Sequence, residues 1–110
     1  MKTLLKNLFP YKIWVRIIFL YQLINFYFFK KYKCRGSIDR KLMHLINKDK
    51  GTYLEVGAYN GLAESVSLRF QVEKNWQGVL IEPNTLHFQH LKFFRNKDIC
   101  INKVCLAPED

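Results

Sequence analysis

The chain reads as an α/β protein. Three short β-prone runs alternate with two helical stretches in the order β-α-β-α-β, and an apolar N-terminal helix precedes them. Three observations carry this reading. Residues 52–56 (TYLEV), 79–82 (VLIE) and 99–106 (ICINKVCL) are compact and rich in branched residues, as buried parallel strands are. The segments between them show apolar residues at helical spacing and end in polar turns. A glycine-bearing loop, GAYNG at 57–61, directly follows the first strand. Short strand–helix–strand connections of this kind build a parallel sheet wound by helices.

The leader comes first. Residues 13–29 (IWVRIIFLYQLINFYFF) contain only Arg16, Gln22 and Asn25 as strongly polar members. As a helix this run would extend about 26 Å, slightly short of a hydrocarbon core of about 30 Å. At about 100° per residue the three polar side chains do not share a face, so a cleanly amphipathic surface helix is not indicated. Trp14, Tyr21 and Tyr27 suit a membrane interface, and KKYK closes the run. A membrane-inserted or membrane-apposed helix fits these features, as does a helix packed on other protein surface. A cleaved signal peptide does not, because no small-residue cleavage site follows Phe29.

The net charge of +9 lies in the first 41 residues, mostly in this leader. Residues 1–41 hold ten basic side chains against one acidic residue, Asp39, while residues 42–110 balance eight against eight. The basic side chains flank the apolar run evenly, so charge assigns no topology. The leader's aromatics form a near-continuous apolar run and do not alternate with arginines, so no nucleic-acid partner is expected. Gly36 and Ser37 form a joint, which places a leader at 1–36 and a domain at 37–110. Cys34, Cys100 and Cys105 form neither a CxxC pair nor an even disulfide set and read as reduced thiols. That spacing offers no zinc site, and no metal is expected.

Within the domain, Ile38, Leu42, Leu45 and Ile46 mark a short helix over 38–46, and the polar stretch 47–51 turns the chain. After the first strand, Leu62, Val66 and Phe70 recur every four residues and predict one helix face. Pro83 ends the second strand, and Asn84 is placed to cap a helix starting near Thr85, with Phe88, Leu91 and Phe94 inward. His44, His87 and His90 read as surface or rim histidines.

The first strand's carboxyl end meets the next helix at Gly57 and Gly61, where free N–H groups and the positive helix end face a crevice. Glu82 ends the second strand, 25 positions after Gly57. Its two oxygens can accept from vicinal ribose hydroxyls. The middle glycine of the G-x-G-x-x-G fingerprint is absent here, which argues against a dinucleotide pyrophosphate. Glu55, two residues before Gly57, suits instead a ligand with a cationic amino-acid part.

These residues carry a resemblance. YLEVGAYNG, EKNWQGVLIEPN at 73–84 and the INKVCL run resemble the start of the FkbM-type methyltransferases, a Rossmann-like class I family using S-adenosyl-L-methionine. About half the chain is covered. The resemblance implies Glu55, Gly57 and Gly61 at the cofactor loop, Glu82 at the cofactor ribose and Asn102 near the adenine edge. Ala58, Tyr59 and Asn60, by their place in the loop, and Pro83 after Glu82 join the candidate cofactor-binding set. The resemblance further implies O-methylation of a sugar or other small hydroxyl acceptor; if the leader attaches to a membrane, the location of that cofactor places the domain in the cytoplasm. Lys103 and Val104 replace the small residues usual after that asparagine. Family members continue into a fourth strand with a D-x-E-G segment and an acceptor pocket. The expectation is therefore a truncated domain, marginally stable and inactive alone, with no assignable catalytic base. A non-catalytic nucleotide-binding module, or a membrane-associated interaction module, is the alternative.

Overall fold

The structure is a computed structural model that describes residues 10–30 and 34–108. The leader's first nine residues, residues 31–33 within KKYK and the last two residues lie outside the described residues. The chain divides into two compact units, Met1–Lys31 and Tyr32–Asp110.

The first unit contains one described helix, α1 (Tyr11–Phe29). Pro10 precedes it with φ −55°, a value suited to helix entry. Lys30 ends it in the left-handed region, its N–H donating to Phe26 O at 3.0 Å. By length and composition, α1 is the one helix among the described residues that is long and apolar enough to cross a membrane.

The second unit is a mixed α/β assembly around a three-stranded parallel sheet in the order β1-β2-β3. A turn of 3₁₀ helix at Arg35–Ser37 leads into α2 (Ile38–Leu45). β1 (Thr52–Val56), α3 (Ser67–Lys74), β2 (Gln77–Ile81), α4 (Thr85–Phe94) and β3 (Ile99–Ile101) follow. Leu54 pairs with Val79 and Glu55 with Leu80, while Leu80 pairs in turn with Cys100. Partners in a parallel ladder point the same way, so Tyr53, Glu55, Leu80 and Cys100 share one face. That face carries the core: Ala58, Leu80 and Leu91 are buried, and Tyr53, Phe88 and Cys100 pack against them. Its other face presents Leu54, Val56 and Ile99, all exposed.

Three expectations change. The four-residue spacing of Leu62, Val66 and Phe70 is not one helix, because α3 begins only at Ser67. The Asn60 carboxamide accepts from the N–H groups of Leu62 and Ala63, at 3.0 and 2.9 Å. Such local side-chain bonds favour a turn over a helix. The third strand stops at Ile101 and does not reach Leu106. Pro83 has no N–H to extend the ladder, and the Asn102 side chain donates instead to the carbonyls of Glu82 and Pro83, at 2.8 and 3.0 Å. On α4 Leu91 and Phe88 face the core as expected, whereas Phe94 is only half-buried and His90 is buried and not on the rim.

Asp39, buried on α2, accepts from Arg69 Nε at 2.8 Å and so ties α2 to α3. Trp76 stacks obliquely on Phe70 with ring centroids 4.8 Å apart, closing the end of the sheet where β2 begins.

Candidate functional site at the carboxyl ends of the strands

β1 delivers the chain to Gly57, at φ +73°, where a Cβ would meet nothing within 4 Å. That backbone is open to a close approach. Its N–H and that of Ala58 both donate to Ile81 O, at 2.8 and 3.0 Å, tying the loop to the end of β2. Tyr59 follows at φ +56°, a region that costs a non-glycine residue energy and recurs at functional sites. Its N–H donates to Glu82 Oε1 at 2.7 Å, and its ring lies 4.4 Å from that of His87.

Glu82 is buried and emerges just past β2. Its other oxygen, Oε2, accepts from Asn84 N at 2.9 Å. Among the described residues, one amide on each oxygen leaves two of about four acceptor positions of the carboxylate unused. Asn84 caps α4 by accepting from His87 N at 3.0 Å. Nδ1 of His87 is buried with no hydrogen-bond partner among the described residues. Gly57, Tyr59, Glu82, Asn84 and His87 thus gather at one end of the sheet.

The remaining sequence-derived residues hold the loop together. Ala58 is part of the core. The Asn60 side chain is buried in its own turn. Gly61 sits at φ +78°, where a Cβ would collide with Arg95 Cγ and Leu91 Cδ1, so its glycine serves the packing of α4. Pro83 is exposed beside Glu82. Asn102, beyond β3, fastens the β2–α4 loop through its two carbonyl bonds.

Glu55 has an engagement the sequence did not suggest. Its Oε1 accepts from Val66 N at 2.9 Å and Ser67 N at 3.3 Å, and its Oε2 accepts from the hydroxyls of Ser65 and Ser67, at 3.2 and 3.1 Å. It therefore serves as a remote cap for α3, placing negative charge at the positive helix end. Together with Asn60, Glu82 and the carbonyl of Ile81, it occupies most of the loop's donors within the protein. Free N–H groups facing the crevice were expected, but those of Gly57, Ala58, Tyr59, Leu62, Ala63, Val66 and Ser67 all have protein acceptors.

Behind the loop lies a polar cluster that nothing in the motif pattern announced. Arg95, buried, donates to Gly61 O, Ser65 Oγ, Tyr53 Oη and Ser67 Oγ at 2.7–3.2 Å. It also pairs with Asp98 Oδ2 at 3.1 Å. Asp98 further accepts from Tyr53 Oη, Gln71 Nε2 and Gly78 N, at 2.6, 2.8 and 2.9 Å. Burial pushes the Tyr53 hydroxyl well above its ordinary pKa, and the bond it donates to Asp98 pushes the same way. Burial likewise raises the Cys100 thiol, with the Asp98 charge adding to it.

Comparisons with protein-family models, with characterised proteins and with solved structures return no match to this chain.

Proposed function

We propose that the second unit is the cofactor-binding front half of a Rossmann-like, S-adenosyl-L-methionine-dependent methyltransferase. Its acceptor would be a sugar or other small hydroxyl compound. The observation that carries this is the pairing of an open Gly57 with a buried Glu82 whose carboxylate keeps acceptor positions unused. A ribose edge fits such a carboxylate, because vicinal hydroxyls match its two oxygens.

The occupied loop amides support the choice of ligand. A pyrophosphate binds to free backbone N–H groups at a helix start, and here those donors are engaged by Glu55, Asn60, Glu82 and Ile81. A cofactor without phosphate loses nothing by this. Tyr59 and His87 lie with their rings together beside Glu82. Glu82 would hold the ribose, Gly57 would admit the ligand against the backbone, and Asn102 would hold the loop carrying Glu82. When bound, the cofactor supplies a sulfonium methyl group for in-line transfer to a positioned acceptor, and positioning alone can supply much of the rate.

Calorimetric titration of the chain with S-adenosyl-L-methionine tests this reading, with circular dichroism confirming that the protein is folded. Saturable binding is expected, weakened about tenfold or more by Glu82→Gln, the usual scale for losing a charged hydrogen bond. A nicotinamide dinucleotide should give no heat. Absence of heat with S-adenosyl-L-methionine from a folded chain overturns the reading. Binding without methyl transfer to any hydroxyl acceptor would mark a non-catalytic module.

A further inference from the structure

We propose that α1 lies in the plane of an anionic lipid bilayer, with one apolar face among the acyl chains and the basic residues of the leader on the headgroups. The proposal is independent of the methyltransferase reading. Ile13, Ile17, Leu20, Ile24, Tyr27 and Phe28 are all exposed on α1. At about 100° per residue they fall within an arc of roughly 100° that no polar residue enters. The scattered polar residues that spoil a clean amphipathic pattern thus still leave one apolar face, with exposed Tyr11, Tyr21 and Phe29 beyond it. Lys12, Arg16, Gln22 and Asn25 all project outside it. Arg16 borders the arc on one side, where a long stem can lie along acyl chains with its charge among the headgroups. Six large exposed apolar side chains on one helix form a patch of the kind that marks a protein or membrane contact.

Charge selects the bilayer. No acidic residue precedes Asp39, whereas Lys2, Lys6, Lys12, Arg16, Lys30, Lys31, Lys33 and Arg35 flank or enter the helix. The even split between its two ends also selects the orientation. A spanning helix would leave half of these charges on the far side, while an in-plane helix brings all of them to one anionic surface. The cytoplasmic leaflet is such a surface. A second copy of the chain, packed along the same face, would bring the two basic sets together and be opposed by their repulsion.

The test uses the full chain with vesicles of phosphatidylcholine alone and of phosphatidylcholine mixed with phosphatidylserine. Cosedimentation is expected with the mixed vesicles only, and it should fall steeply in about 1 M salt, where the screening length is about 3 Å. Leu20→Glu, at an exposed position, should cut partitioning about tenfold or more, while Leu54→Glu, on the second unit, should leave it unchanged. Exchanging Lys30, Lys31 and Lys33 for Gln should weaken binding to the mixed vesicles without touching the apolar face. Oriented circular dichroism on aligned bilayers should report a helix parallel to the surface. Equal binding to both vesicle types, no binding to either, or a transmembrane dichroism signature would each overturn the proposal. So would a lipid-free dimer abolished by Leu20→Glu.

Discussion

Tyr53 shows how far a single residue's chemistry is set by its neighbours. Its hydroxyl donates to Asp98 and accepts from Arg95 and Gln71, and burial raises its pKa. A raised pKa in the fold means that the folded protein keeps a proton that the unfolded chain releases near pH 10. Stability from this group is therefore complete below about pH 10 and is lost as the pH rises toward the folded value. Thermal melts should show the melting temperature falling from about pH 10 upward. Tyr53→Phe should flatten that fall and cost about 1–3 kcal/mol at neutral pH, since Arg95 and Asp98 each lose a partner in the interior. A melting profile equally steep in the variant would show that Tyr53 is not the titrating group. Glu55 is likewise defined by its neighbours: its place at the end of the first strand was legible, but its partners, the two hydroxyls and two amides at the start of α3, were not. Ser65 and Ser67 sit in a stretch whose apolar spacing imitates a helix, and spacing carries no information about hydroxyls.

At the level of elements, the features written into contiguous residues were readable. The TYLEV strand occupies Thr52–Val56 as expected, and α4 starts at Thr85 behind Asn84. The Asn84 cap is also a testable unit. Its side chain accepts from His87 N, and its own N–H reaches Glu82. Asn84→Ala should cost about 1 kcal/mol, the ordinary cost of losing a cap, and denaturant unfolding would measure it. Asn84→Ser should restore most of that loss, because a serine hydroxyl can accept the same bond; failure of the rescue would mean that the side chain acts other than as a cap. What was not legible lay in contacts distant in sequence. The start of α3 is decided by Glu55 and Asn60 from the preceding strand and loop, and the end of β3 by Asn102 reaching back to Glu82 and Pro83. At the candidate site the sequence placed Gly57 and Glu82 together, and the structure keeps them so. Gly61 and Asn60 bear on the same loop through packing against Arg95 and through turn formation, which a motif cannot distinguish from ligand contact.

Across the second unit the sheet is asymmetric, and its two faces predict opposite responses to substitution. Leu80 is fully buried between Ala58 and Leu91, so Leu80→Ala removes contacts and leaves a cavity. The expected loss is about 2–5 kcal/mol, enough to unfold a small domain with little stability to spare. On the other face Leu54, Val56 and Ile99 are 65%, 58% and 64% exposed. Parallel sheets are ordinarily covered on both sides, and an exposed aliphatic patch binds dyes and invites association. Replacing all three with Thr puts a β-branched, strand-compatible side chain at each position while removing apolar surface from contact with water. The triple variant should unfold within about 1 kcal/mol of the parent. It should also bind less of an environment-sensitive hydrophobic dye in the native state and precipitate more slowly. The decisive comparison is between faces within one protein. If the triple variant lost as much stability as Leu80→Ala, the outer face would be carrying packing energy and could not be the bare side of the sheet.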